Sequence, residues 1–473
     1  FLVSERKNFE KRLKSTIFAD CIDFVYKGQS RDRKESNMSF RTKILAVVAF
    51  VLVAVAPQWA VAQDASLNTY SPYTFYGIGD IHAEGIAVTR AMGGASMGFR
   101  NYIYVNPLNP ASYSSVRSNS FLTNFDMEGQ NFYIRTTDAK TSFNTFNVRD
   151  IAMSFPLYKG LGVGLSVTPY SSVGYNVRYY DPNPEVQAGI GQMLYSYAGS
   201  GDVTQFKLGV GYDLFKNFSI GADVIYYHGS IERSYTVQPT TITGTGTYYA
   251  MAGTSTEYVG SFFGTLGMQW TPLAKESSVL TIGATYKFGG RMGNQVVEQI
   301  PLNSTLNPGE MVVDRTYTSS LQMPSVYAVG FYYHRPKYSF GADYEFADWG
   351  LRNVGDVTDH LSFRNTSAVR VGGQYTPNPG DVRNALKRFT YRAGLRWSQN
   401  YLVLNNEPFS DVALTFGVGM PLRMTGLSNV NLGLELGQRG TMRAGLSREN
   451  YLKFTIGFSF FGEDYWFVKM KYD

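Results

Sequence analysis

Four histidines, His82, His228, His334 and His360, and one cysteine, Cys21, are all that the chain offers for imidazole or thiol chemistry. A Ser–His hydrolase needs an imidazole held between a nucleophile and a third orienting group. None of the four histidines has a serine or carboxylate spaced to suggest one. There is no HExxH pair, no glycine-rich phosphate loop between a strand and a helix, and no cysteine cluster. The sequence therefore presents no catalytic residue, no metal site and no cofactor site, and the chain is expected not to be an enzyme. Recognition is what remains. Arg392 and Arg396, on one face of "YRAGLRW", are candidates for bidentate contact with a ligand carboxylate, and they equally suit ion-pair networks that brace a wall.

These arginines sit on segments with a period of two. In "QFKLGVGYDLF", Phe206, Leu208, Val210, Tyr212 and Leu214 share one face, and Lys207, Gly209, Gly211 and Asp213 share the other. The same alternation runs through Phe389–Trp397, Val412–Met420, Val430–Leu436, Leu280–Phe288 and Leu452–Phe460. A strand between lipid and a lumen must be apolar at every second position and tolerates small or polar residues between. Aromatics at the strand ends and charges on the second face separate this pattern from a soluble sandwich, whose core rejects Asp223, Lys287, Asp343, Glu345, Arg370, Glu435 and Lys453.

About fourteen such segments are expected, near 118–129, 146–156, 160–180, 203–214, 217–230, 258–271, 278–289, 324–335, 338–348, 366–376, 388–398, 410–421, 429–438 and 450–461. Connections after odd segments are long, as at Asp181–Asp202, "TTITGTGTYYAMAGTSTE" and Gly290–Met323; those after even ones are mostly tight. "TPNPGDVRNALKR" is the exception and suits a short helix. The expected fold is all-β, a 14-stranded antiparallel transmembrane β-barrel, with both chain ends in the periplasm of a Gram-negative cell. One strand interrupts itself. "LSVTPYSSVGY" places Pro169 inside the third segment, where a missing N–H is tolerated only at an edge or a bulge.

The first 62 residues read differently. Residues 1–37 have no pattern and are expected to be upstream translation; Met38 opens a leader with Arg41 and Lys43, the apolar run Ile44–Ala56 and the small-residue site Ala60–Ala62, giving residues 38–62 as a signal peptide. Cys21 precedes Met38, so the exported chain is expected to carry no thiol. After residue 62 there are 32 basic and 31 acidic side chains, a balance that gives no nucleic-acid surface. Residues 63–117 are rich in Gly, Ala, Asn and Pro without a strand period; a hatch, or plug, inside the lumen is their expected place. Residues 118–461 form the barrel, and 462–473 a terminal segment that alternates once more.

"TRAMGGASMGFRNYIYVNPLNPASY" resembles the amino-terminal hatch of the FadL/TodX outer-membrane family, on Arg90, Ala91, Gly93, Gly94 and Ala95 and then on Asn109, Pro110 and Ala111. The resemblance implies a fourteen-stranded barrel plugged by that hatch, with hydrophobic small molecules such as fatty acids as cargo and outer-membrane lipid as its surroundings. It also implies that the third strand kinks inward to open a lateral exit, at Pro169, Tyr170, Ser171, Ser172 and Gly174. The hatch style and the basic "KMKYD" ending look like members from Bacteroidetes-type bacteria, among them the secretion shuttle PorV. That implies an alternative: a non-transporting shuttle or scaffold subunit with protein partners in an outer-membrane secretion or assembly machine.

Overall fold

The computed structural model describes residues 69–137, 139–189, 191–242, 250–301, 311–351, 360–381, 383–422 and 427–463. All of them fall in one compact unit, Ala65–Asp473. The expected leader, the residues before it and the tail after Glu463 lie outside the described residues.

Fourteen antiparallel walls close on themselves. They are β1 (Ser120–Arg135), β2 (Lys140–Tyr158), β3 (Leu161–Tyr180), β4 (Gly191–Phe215), β5 (Phe218–Ile242), β6 (Met251–Lys275), β7 (Ser278–Lys287, resuming at Gly290–Pro301) and β8 (Met311–Met323, resuming at Val326–His334). There follow β9 (Tyr338–Ala347), β10 (Leu361–Phe363 and Thr366–Tyr375), β11 (Thr390–Leu404), β12 (Glu407–Pro421), β13 (Asn429–Gly440) and β14 (Arg448–Glu463). β14 pairs with β1 from Glu463↔Ser120 to Arg448↔Arg135, which removes the sheet edge. No helix among the described residues is long and apolar enough to cross a membrane.

Alternation decides which way each side chain faces. Leu208, Val210, Val224, Phe262, Leu414 and Leu434 are exposed on the outer surface, while Gln205, Lys207 and Asp223 are buried inside. Tyr338, Tyr375 and Tyr391 rim the short-turn end of the apolar band; Tyr286, Phe288 and Tyr327 rim the other. Such rims suit the two interfaces of a bilayer, where an aromatic ring is apolar and its hydroxyl is wet.

All fourteen expected segments are strands, but several are longer than the pattern indicated. β4, β5 and β6 each span 25 residues, where about ten cross a bilayer. Much of the expected loops Asp181–Asp202, Thr240–Glu257 and Gly290–Met323 is therefore strand. Above the lipid both faces of a strand meet water or loops, so alternation fades; neighbour-to-neighbour hydrogen bonds continue regardless.

The wall parts between β2 and β3. β2 and β3 pair from Tyr158↔Leu161 up to Ile151↔Val167 and no further. β3 remains paired with β4 as far as Tyr180↔Leu194, with a register shift between Pro169 and Ser171. Tyr170 is the extra residue of that bulge. β3 thus leaves β2 within two residues of Pro169, which has no N–H to offer the ladder.

Candidate functional site

Residues Thr69–Ser115 run through the lumen, and the charged side chains and the histidine within that stretch each find a partner on the wall. Asp80 pairs with Arg439, which also binds Glu449 at 2.6 Å. His82 Nε2 lies 2.7 Å from Ser172 Oγ. Glu84 bridges Lys207 at 2.7 Å and Lys287 at 3.5 Å. Arg90 faces three carboxylates, Glu128 at 2.7 Å, Asp150 at 3.2 Å and Asp126 at 3.6 Å. Arg100 binds Asp213 at 2.8 Å. The contacts reach β1, β2, β3, β4, β7, β13 and β14, so the segment is tied to opposite sides of the barrel. Sequence reading had placed the wall charges on the lumenal face but had not seen Asp80, Glu84 or Arg100. Isolated charges in an otherwise uncharged stretch were the available signal.

Burial opposes ionisation of Glu84, yet the Lys207 and Lys287 ammonium groups outweigh it and hold its carboxyl well below the usual range. A depressed carboxyl stabilises docking above its unfolded value; this contribution is complete above about pH 5 and is lost progressively as the pH falls from there toward the depressed folded value. Glu84→Gln is expected to leave the buried Lys207 and the half-buried Lys287 without this carboxylate, costing about 3 kcal/mol. Increased protease cleavage of the lumenal segment at neutral pH, compared with the unmodified protein, is the measurement; equal cleavage rates rule the bridge out as an anchor.

The motif positions pack closely against the wall. Asn109 caps the turn Pro110–Ser115: its side-chain oxygen accepts from Ala111 N at 3.2 Å and its amide donates to Met97 O at 2.9 Å. Ala111 is fully buried. Gly93 has φ +70°, a left-handed conformation that favours glycine, and donates its N–H to Thr415 Oγ1 at 2.9 Å. On the wall, a Cβ added at Gly283 would stand 1.9 Å from Met97 O, so a bare backbone there admits the segment. Ala91 O accepts from Thr415, Gly94 lies against the Arg370 side chain, and Ala95 is buried.

The kink residues face the same segment. Ser171 and Ser172 pair with the two-residue strand Asp80–Ile81, Tyr170 O accepts from His82 N at 2.9 Å, and Gly174 O accepts from Ser71 N at 2.9 Å. Tyr70 stacks on Phe143 of β2 at 4.0 Å. The chain's own amino-terminal part therefore occupies ground between β2 and β3 that strand pairing vacates.

Two layers divide the lumen. On the loop side is a packed apolar layer that includes Tyr73 and Ile78 of the segment, Tyr170, Val173 and Tyr175 of β3, and Tyr227, Trp349 and Tyr401. Next to it is a cavity of about 230 Å³ whose lining is polar and apolar in about equal measure and includes many charged side chains. Its bases are Lys207, Lys287, Arg370, Arg396, Arg439 and Lys453, and its acids Asp80, Glu84, Glu345 and Asp411, so the lining carries an excess of positive charge.

Arg396 is engaged by Glu435 at 2.7 Å and Asp411 at 3.4 Å. Arg392 is not: it donates to Asn431 at 3.0 Å and Gln374 at 3.2 Å, and no carboxylate among the described residues reaches it. The two expected carboxylate-binding arginines thus have different surroundings. The described residues hold no group of three or more His, Cys, Asp or Glu side chains suited to a metal. The His82–Ser172 and His334–Ser339 contacts, each 2.7 Å, have no carboxylate bonded to the imidazole. Burial first, then Arg149 and Lys453, pushes His82 well below its ordinary value, so it is neutral.

No curated protein sequence matches the chain. Solved structures similar to it include a Pseudomonas aeruginosa FadL homologue (12% identity, TM-score 0.56, 82% of this chain and 100% of that one). The Pseudomonas putida toluene transporter TodX is similar over 82% and 100% (17% identity, TM-score 0.53), and the Ralstonia pickettii toluene transporter TbuX over 80% and 98% (14% identity, TM-score 0.51). At these identities the likeness establishes a shared fold. The family model BamG matches residues 42–473. The chain belongs to the BamG family, and it is built on the barrel fold of the FadL and TodX type.

Proposed function

We propose that the protein is a channel of the Gram-negative outer membrane for passive uptake of hydrophobic compounds such as long-chain fatty acids, gated by its hatch and releasing cargo sideways past β3. The observation that carries this reading is the parting of β2 from β3 above Ile151↔Val167. The apolar layer borders that parting through Tyr170, Val173 and Tyr175, and the charged cavity adjoins it. A buried methylene is worth about 0.8 kcal/mol, so an acyl chain in the apolar layer resists moving onward through charged groups and water. The low-cost exit is lateral, into lipid. The structural neighbours, toluene transporters and a FadL homologue, support the same class of cargo.

Pro169→Val restores a ladder N–H and is expected to reduce uptake of radiolabelled oleate into cells; deletion of Gly93–Ala111 is expected to alter it. Uptake equal to that of the unmodified protein in both variants would contradict the channel reading.

A second reading rests on a different observation: the apolar layer is filled by the protein's own side chains, and the cavity beside it is charged. A lumen filled in this way suits a shuttle or scaffold subunit of an outer-membrane secretion or assembly machine. Pull-down from gently solubilised membranes separates the two, since stable large partners without bound lipid favour the subunit and a lone barrel carrying lipid favours the channel.

A further inference from the structure

The short-turn ends of β8 to β11 gather basic side chains that play no part in the lumen. Arg335 and Lys337 flank the turn from β8 to β9, and Arg383, Lys387 and Arg388 lie on the connection from β10 to β11. The two connections are joined, because Thr376 N donates to Lys337 O at 2.7 Å and Asn378 N donates to Lys387 O at 2.8 Å. Asp381 is the one acid there, and it reaches Lys387 only at 3.9 Å. Arg335, Lys337, Arg383 and Lys387 are exposed, so the patch presents nearly its full positive charge.

What lies beside these charges specifies the partner. Tyr338, Tyr375 and Tyr391 are directly opposite one another across β9, β10 and β11, all exposed on the outer face. Tyr391 donates its hydroxyl to Leu386 O at 3.0 Å, which holds the β10–β11 connection against the outer rim rather than beneath the lumen. Leu386 is itself 61% exposed. Arg335 Nε donates to the Tyr333 hydroxyl at 2.8 Å, and its guanidinium stands 5.8 Å from the Tyr338 ring centre. An aromatic row at interface depth, a leucine directed outward and a cluster of cations just beyond match the cross-section of a phospholipid from acyl boundary to phosphate.

We propose that this patch binds the headgroup of an anionic phospholipid. Placing that lipid in the inner leaflet rests on the short turns being periplasmic; the headgroup chemistry does not. The site is also independent of cargo transport, so its failure leaves the channel reading untouched.

The test uses purified full-length protein in mixed micelles of phosphatidylglycerol and phosphatidylethanolamine, with retained lipid counted by native mass spectrometry. Each cation near a lipid surface favours an anionic headgroup by about fivefold, so the unmodified protein is expected to prefer phosphatidylglycerol at least about tenfold. Arg335→Gln/Lys337→Gln/Arg383→Gln/Lys387→Gln should abolish the preference, while Lys159→Gln/Lys216→Gln, which removes single lysines from two other turns, should not. Should the quadruple variant fail to fold on an unheated gel, Arg335→Gln/Lys337→Gln alone must still lower the ratio at least about fivefold. No preference in the unmodified protein, a preference that survives in the variants, or one lost equally in the Lys159/Lys216 pair overturns the proposal.

Discussion

Arg90→Met is expected to destabilise the folded barrel by about 3–5 kcal/mol, the cost of removing one partner from a buried charged cluster. The size follows from how many groups depend on this one guanidinium. Glu128, Asp150 and Asp126 all lie within 3.6 Å of it, on two neighbouring strands, and each is buried. Without it, three carboxylates stand together in a water-poor lumen, where they must repel or take up protons. Burial works against the Arg90 charge, but Asp150, Glu128 and Asp126 outweigh it and raise its affinity for the proton, so the cation is secure at any ordinary pH. The check is the temperature at which the barrel loses its compact form on an unheated gel. Arg315→Met is the control, because its pairing with Glu298 at 2.6 Å is on an exposed surface and is worth below about 1 kcal/mol. Equal shifts for the two variants would show that Arg90 is an ordinary surface-like pair and not the anchor of the lumenal segment. Arg90→Lys should fall between them, since an ammonium cannot fork toward three carboxylates at once.

The anchor shows what the sequence could and could not disclose. Alternation is local, so Leu208 outward and Lys207 inward were legible from eleven residues, and fourteen such segments gave the barrel. The partnership of Arg90 with Asp150 joins residues sixty apart in the chain, and nothing local encodes it. Arg392 and Arg396 illustrate the same limit. They are four residues apart on one strand with the same orientation, and they looked equivalent as carboxylate ligands. Their difference comes from β10, β12 and β13, which bring Gln374 and Asn431 to one and Asp411 and Glu435 to the other. Pro169 was legible as an interruption because the missing N–H is a property of the residue itself. That the interruption coincides with the last β2–β3 pair, and that Asp80–Ile81 takes over part of the vacated edge, depends on three segments meeting. Strand length was the least legible feature, because the hydrophobic period reports the lipid boundary and not the end of the hydrogen-bonded ladder.

If the ground between β2 and β3 is a gate, tethering its occupant should close it. Ile81 and Ser171 are direct antiparallel partners, in the position where two cysteines come within bonding reach. Ile81→Cys/Ser171→Cys is expected to form a disulfide during export. The bridge should reduce oleate uptake to the level of cells lacking the protein, with recovery on adding a membrane-permeant reductant. The background is clean, since the sole cysteine of the sequence, Cys21, lies before the expected leader. Recovery is the decisive observation. A damaged barrel stays inactive after reduction, whereas a tethered one regains activity. The unheated-gel mobility of the bridged protein provides the other half of the argument, because a tether across an existing pairing should preserve or raise stability by constraining the unfolded chain. Full uptake with the bridge formed would mean that the Asp80–Ile81 strand need not leave β3 for cargo to pass. The gating role would then fall to residues nearer Thr69 and Tyr70, where the segment meets Gly174 and Phe143.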